Sequence, residues 1–432
     1  MDSLIIEGVR CFSERQTVRL RPITLLTGEN STGKSTVLAL ARIAWHLWQG
    51  NTVPDFNEEP FILGAYDDLA TCRGRGNGRV ASFAVGAEFR LPSTAQRVRV
   101  SGQFVKKDAQ PTLSEWLLET TDTDLNMAVH FEKEGTRLEW HHGSGSGSLT
   151  LAPTQFAVPP TRVWGIFASL PFESARDVAG VTMTEGARPG HKVLAYLGRL
   201  ASGSACDYEH RPYAFAPIRT RPLRTYDPLR AEPEPEGRHV PMILATLSLS
   251  APERWARLRE ALGAFGRQAG LWRDVEVRHL GGAAGPFQIR VKISGPYFNL
   301  TDVGYGVSQA LPIVVDTLRG DPGTTYLLQE PEVHLHPSAQ AQLGSLFASL
   351  AKEDDKRFLI ETHSDHLVDR IRMEVRKGGL LKPEDVSLLY FERKNGGVRI
   401  HQLELDELGN ILKPPRGYRQ FFLDEMRALL GG

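Results

Sequence analysis

Cysteine is scarce in this chain of 432 residues: Cys11, Cys72 and Cys206 are three in all, far apart and odd in number. That argues against a disulfide framework and a cysteine-based zinc site, and for a reducing compartment. Net charge is also missing. The 51 Lys and Arg residues balance 51 Asp and Glu, so no bulk field pulls the chain toward nucleic acid or membrane, and any such binding must come from a local patch. No apolar stretch approaches the roughly 20 residues of a membrane span. The opening MDSLIIEGVRCF carries charges too early, and too short an apolar run, for a signal peptide. A cytoplasmic location is the expectation. No heptad run is long enough for a coiled-coil arm. The composition is that of an ordinary soluble globular protein, with length for roughly two to three domain-sized units.

What the chain does have is GENSTGKST at 28–36. Gly28, Gly33, Lys34 and Ser35 fill every fixed position of the phosphate-binding loop G-x-x-x-x-G-K-[ST], with Glu29, Asn30, Ser31 and Thr32 between them and Thr36 behind. The apolar run PITLLTG precedes it and TVLALARIAWHLW, with helical spacing, follows. Backbone N–H groups of such a turn and helix N-terminus face an anion. Lys34 then reaches the outer phosphates and the Ser35 hydroxyl holds Mg²⁺. Binding of ATP with Mg²⁺ is the expectation.

Residues 3–26 read as two strands, SLIIEGVRCF and QTVRLRPITLLTG, and the loop helix as running to about Trp48. From Arg79 to about Val158, short alternating runs predict an antiparallel meander, with GSGSGS at 143–148 as a flexible turn or loop tip. GHKVLAYLGRLASG, 190–203, has helical spacing. Arg211, Arg219, Arg221, Arg224 and Arg230 then crowd into twenty residues with Tyr213 and Tyr226. This is either a basic patch for phosphate or a partner, or a solvated loop balanced by the acidic AEPEPEG beyond it. Residues 241–272 predict two helices, the second opening at Ser250 or Pro252, and VEVRHL and FQIRVKISG return to strand.

Three further segments bear on the phosphate loop. Thr301, Gly304 and Gly306 sit just before a helix predicted to start near Val307, which makes an anion site at its N-terminus. The strand Tyr326–Leu328 ends in Gln329 and Glu330, and a carboxylate there can polarise the water that attacks a γ-phosphate. RFLIETHSDHLV, 357–368, is another apolar strand with polar residues at its end, where His363 can donate a hydrogen bond to the γ-phosphate. His334, His336, His363 and His366 are dense enough to raise zinc, but H-x-H on a strand fits one ion poorly and no cysteine is near.

Together, and in this order, these segments resemble the ABC-type ATPase heads of the SMC, recombination-repair and OLD nuclease proteins. The resemblance makes 28–36 Walker A, 300–309 the signature, 326–330 Walker B, 334–337 a D-loop equivalent and His363 the switch histidine. EPEVHLHP, THSDHL, PIRTRPLRTY and GNILKPPRGYRQFFLDEM are close to the wording of compact OLD-like or RecF-like prokaryotic ATPases. Residues 80–205 are covered only loosely.

The resemblance implies an α/β fold: a P-loop core with an antiparallel β subdomain, a helical lid and no long coiled coil. Its expected divisions are an N-terminal lobe at 1–160, a variable insert and lid at 161–280, a C-terminal lobe at 281–408 and a short module at 409–432. It further implies heads that dimerise head to tail around ATP, with Thr301, Gly304 and Gly306 contacting phosphate across the dimer and Glu330 activating water. Arg10 and Phe12 stand where residues touch the nucleotide base, although Phe12 reads equally as core. Two departures stand out. Gln329 occupies the place of an acid that helps hold Mg²⁺, where a neutral amide orients metal-bound water but adds no charge. No Gln lies between Asn51 and Ala95 to sense the γ-phosphate, leaving that element absent or replaced by Asp67 or Asp68. The expectation is a slow ATPase switch, a homodimer or higher homo-oligomer, working with a separately encoded effector such as a nuclease or toxin in anti-phage defence. A DNA-handling ATPase that binds nucleic acid directly, and a nucleotide-binding scaffold without hydrolysis, are the alternatives.

Overall fold

A computed structural model describes the chain except for residues 73–77, 91–95, 121–124, 133–134, 144, 152–162, 164–180, 184–210, 228–231, 283–284, 377, 379, 395, 420–423, 425–426 and 429–432. The helical spacing at 190–203, Cys206 and Arg230 lie outside the described residues. Two compact units form, each discontinuous in sequence: Met1–Leu20, Glu29–Arg211 and Phe391–Ile400 in the first; Arg21–Gly28, Pro212–Tyr390 and His401–Gly432 in the second.

The first unit holds β1 (Ser3–Glu7), β2 (Gln16–Arg19), α1 (Lys34–Trp48), the short α2 (Tyr66–Leu69), β4 (Ser82–Arg90), β5 (Arg97–Lys107), β6 (Gln110–Thr120), β7 (Leu125–Glu132), β8 (Gly135–His142), β9 (Gly145–Leu151) and β10 (Val181–Met183). The intervening β3 (Ile23–Gly28) belongs to the second unit. The first unit's strands form one antiparallel sheet in the order β10-β9-β8-β7-β6-β5-β4-β1-β2. Alternation of buried and exposed residues along β5 and β7 is what one covered face requires. That face carries α1. Trp48 stacks on Phe89 with centroids 4.4 Å apart, and the buried Trp116 donates Nε1–H to the Leu47 carbonyl at 3.0 Å.

Two local expectations fail here. GSGSGS is not a loop tip throughout: Gly145–Ser148 open β9 and pair with β8, Gly147 lying opposite the bulky Trp140. Strand pairing supplies the backbone order that these side chains do not. The stretch 16–28 is two strands, because Arg21 and Pro22 leave the ladder in a turn where Thr24 Oγ1 accepts from Arg21 N–H at 2.9 Å. β2 pairs with β1, whereas β3 pairs with a strand 335 residues further on, Ile23 opposite Phe358.

The second unit adds β11 (Tyr213–Phe215), α3 (Val240–Ser250), α4 (Pro252–Ala269), β12 (Asp274–His279), β13 (Phe287–Lys292), β14 (Tyr297–Asn299), α5 (Tyr305–Arg319), β15 (Thr325–Gln329), α6 (Pro337–Glu353), β16 (Arg357–Glu361) and α7 (Asp365–Arg376). β17 (Val386–Lys394), β18 (Gly397–Leu405) and β19 (Ile411–Leu412) complete the chain's strands. The main sheet runs β11-β15-β16-β3-β17-β18-β19, with β11, β15, β16 and β3 parallel. Their short apolar runs YLL, FLI and ITLL are wholly buried, as parallel strands covered on both faces must be. β12, β13 and β14 form a small antiparallel sheet. The longest helix, α4, has 18 residues among those described, too short for a coiled-coil arm. Among the described residues no helix is long and apolar enough to cross a membrane.

Candidate active site

The register of the parallel strands aligns three strand ends at one end of the second unit's sheet. Leu26 pairs with Glu361 and Glu361 with Gln329, so the carboxyl ends of β3, β16 and β15 lie side by side. Ligands of open parallel sheets bind outside such ends. β3 ends in Gly28, β15 runs into Glu330 and β16 into Thr362 and His363.

In the first unit the remainder of the phosphate loop is self-bonded. Lys34 Nζ donates to the Glu29 carbonyl at 2.7 Å, and Thr32 Oγ1 donates to the same oxygen at 2.8 Å. Arg393 Nη2 donates to the Asn30 and Ser31 carbonyls at 3.3 and 3.5 Å. Gly33 precedes α1 with φ 87°, a left-handed conformation that suits glycine. A Cβ there would stand 2.7 Å from Cys11 Sγ and 2.8 Å from Phe12 Cζ. Ser35 and Thr36 lie in the first turn of α1. Arg10 donates to Thr36 Oγ1 at 3.1 Å and to the Leu63 carbonyl at 3.0 Å, and burial lowers its pKa. Phe12 is fully buried, edge-on to Phe391, so core is the reading that holds for it. Asp67 pairs with Lys106 at 2.5 Å, and Asp68 accepts from Ala65 N–H at 2.9 Å; both carboxylates are engaged in local structure.

In the second unit Glu330 follows β15 in the left-handed region, φ 43°, a conformation non-glycine residues adopt only where the surroundings enforce it. Its N–H donates to the Glu361 carbonyl at 2.8 Å. The carboxylate lies 3.9 Å from His363 Nε2, both side chains partly exposed. Gln329 Oε1 is buried and has no hydrogen-bond partner. Glu332, buried two residues on, accepts from Thr362 Oγ1 at 2.7 Å and from His363 N–H at 2.9 Å through Oε1, while its Oε2 has no partner. Burial pushes this carboxyl above the ordinary range, against the pull of those donors.

The signature segment differs from its expected form. α5 starts at Tyr305, two residues early, so Gly306 lies inside its first turn and Gly304 caps it. Thr301 sits in a 3₁₀ turn, where its N–H and Oγ1 both donate to Asn299 Oδ1 at 3.0 and 2.9 Å. A Cβ at Gly306 would stand 2.6 Å from the His334 carbonyl, so glycine here also meets a close backbone approach.

The described arginines of the cluster have different partners and exposures. Arg211 pairs with Glu58 in the first unit. In the second, Arg224 pairs with Asp302, Arg221 is exposed and Arg219 is only 1% exposed. The Arg219 guanidinium donates through Nη2 to the carbonyls of Gln329 and Glu330, both at 3.5 Å. Glu332 is the residue sequence reasoning missed, its one signal a second acid in EPEV between a proline and an apolar residue, and Arg219 was read only as one member of a basic cluster. The four histidines do not converge. His334 stacks edge-on with Tyr305, His336 caps α6, and among the described residues no group of three or more His, Cys, Asp or Glu could hold a metal.

Residues 232–369 match the family model described as "AAA domain, putative AbiEii toxin, Type IV TA system", less than half of the chain but inclusive of the signature segment, both polar turns and Glu332. No curated protein matches the chain. Among solved structures it is similar to an SMC head bound to the C-winged helix domain of ScpA, at 11% identity over 94% of this chain and 98% of that one, TM-score 0.44. It is also similar to the SMC head domain from Thermotoga maritima, at 12% identity over 94% and 99%, TM-score 0.41. A third is an SMC head with an extended coiled coil, bound to the C-terminal domain of ScpA, from Pyrococcus furiosus, at 9% identity over 99% of each, TM-score 0.44. The phosphate-loop motif lies upstream of the matched segment, which is the part of the chain that resembles an AAA domain.

Proposed function

We propose that this AAA-type head is an ATP-driven switch that dimerises head to tail on ATP and resets by slow hydrolysis. The observation that carries the reading is Glu330 and His363 facing each other at 3.9 Å, on turns that end adjacent parallel strands. Glu330 is the general base that orients and deprotonates water. His363 donates to the γ-phosphate, Lys34 holds its charge, and Gly28 to Thr36 supply the backbone cradle. Thr301, Gly304 and Gly306 are assigned to a second copy's nucleotide.

Mg²⁺ suits this chemistry, since it takes oxygen donors and Gln329 Oε1 is a buried oxygen with no partner. Ser35 and Gln329 are the residues that would hold it, and when bound it supplies charge against the phosphates. Gln329 brings none of its own, in keeping with slow turnover.

The effector, a nuclease or toxin, belongs to the same reading: the chain would control it from outside, and the likeness to a toxin–antitoxin AAA family supports that. Direct nucleic-acid binding loses its main support, since Arg219 is buried and Arg224 is paired.

Phosphate release by wild type and Glu330→Gln tests hydrolysis, with wild type active and the variant silent as the expected result. Equal inertness of the two leaves a nucleotide-binding scaffold. Light scattering of Glu330→Gln with ATP should show a dimer mass, and no shift with any nucleotide would remove the sandwich.

A further inference from the structure

Among the described residues of the second unit, Arg219 has two buried side-chain nitrogens without a hydrogen-bond partner. Its side chain is buried, Nε and Nη1 have no partner, and Nη2 makes only two long bonds. A buried cation is costly unless charge and hydrogen bonds compensate it. The compensating carboxylates are Glu332 and Glu330, whose fields oppose the burial that lowers the guanidinium pKa to about 10. The backbone around it is clamped: Gln309, 1% exposed in the N-terminal part of α5, accepts from Arg219 N–H at 3.2 Å and donates to the Arg219 carbonyl at 3.4 Å. One residue thus touches α5 through its main chain and the Gln329–Glu330 turn through its side chain. Glu332 is one of the charges that act on it, and it in turn holds Thr362 and the His363 backbone.

We propose that Arg219 is a positioning residue that ties the signature helix α5 to the turn carrying Glu330. It acts with Glu332, which fixes the His363 turn from the other side. The left-handed backbone of Glu330 is what the guanidinium enforces, through the carbonyls at its own position and at Gln329. The inference rests on the hydrolytic reading for its kinetic consequence and not for its structural one.

Two measurements test it. In steady-state ATP hydrolysis, Arg219→Met should lower kcat by about 100-fold, the scale of an ångström-size misplacement, with KM within about 3-fold. Arg219→Lys restores the charge, but its flexible stem does not hold a donor at both carbonyls as the rigid, planar guanidinium does, so stability should recover while kcat stays low. Gln309→Ala, which leaves both charges in place, should lower kcat in the same direction. In nucleotide-free thermal unfolding, Arg219→Met and Glu332→Gln should be non-additive, the double variant losing less than the two singles together. Should Arg219→Met not fold, Arg219→Gln takes its place in both.

An unchanged kcat in Arg219→Met, or full kcat in Arg219→Lys, overturns the positioning role. Strict additivity overturns the link to Glu332. If wild type releases no phosphate, the hydrolytic reading fails by itself and the unfolding cycle decides the inference.

Discussion

The phosphate loop and the Glu330 turn solve the same problem in opposite ways. In the first unit the loop closes on itself: Lys34 and Thr32 share the Glu29 carbonyl, and Gly33 fits against Cys11 and Phe12. In the second unit the turn is held by residues distant in sequence, Arg219 and Thr362 among its supports, and leaves atoms of Gln329, Glu332 and Arg219 unpartnered. A self-bonded loop is a preformed cradle. A turn with orphaned buried groups is one whose best arrangement involves something more, as unsatisfied polar groups in native proteins tend to mark function.

Separating binding from turnover is the strongest way to break this contrast. Glu330→Gln should lower kcat by about 10²–10⁴-fold, the range for a general base, and leave ATP affinity intact. Lys34→Ala should instead abolish saturable binding of a fluorescent ATP analogue. If Glu330→Gln loses affinity as well, the two regions are not distinct in role.

The next effect is on stability. Trp116→Ala removes a fully buried ring and its bond to the Leu47 carbonyl, and should cost about 3–5 kcal/mol in denaturant unfolding. Its ATP affinity should fall with the order of α1 and not through any contact with nucleotide.

A smaller effect follows from pH. His46 near the end of α1 is held down to about 4 by burial, then by Arg211 and Arg42. The Glu58 carboxylate lies 3.6 Å away but is shared by those two arginines, so the cations and burial prevail. The folded value is below the unfolded one. The stability His46 contributes is therefore whole above the ordinary histidine range and lost as pH falls toward 4, up to about 3 kcal/mol at 1.36 kcal/mol per unit. His46→Asn should flatten that part of the melting profile; an unchanged profile would falsify the assignment to His46.

The smallest effect sharpens the contrast by its absence. Arg99 bridges Glu119 at 3.1 Å on the exposed face of the antiparallel sheet, and Arg99→Ala should cost less than about 1 kcal/mol and leave hydrolysis unchanged.

Much of the fold was legible where a signal is local. Apolar runs bounded by turn residues marked β15 and β16, and helical spacing marked α1, α3 and α4. The failures share a cause in long-range pairing. Gly145–Ser148 form a strand because β8 lies beside them. The strand read across 16–28 divides because β1 takes one half and β16 the other. The start of α5 was misread by two residues, since Tyr305 carries no capping signal.

For the candidate site the division is sharper. The sequence by itself determined the phosphate loop, because a glycine-rich turn, a lysine and a hydroxyl in contiguous positions owe their geometry to neighbouring backbone dihedrals. It also named Glu330 and His363, as polar residues ending apolar strands. Only the tertiary structure decided Arg219. In sequence it was one of five arginines in a basic run; in the fold, 110 residues separate it from the carbonyl it reaches. Burial gives that residue its role, since a charge taken out of water must find compensation from whatever the packing brings near.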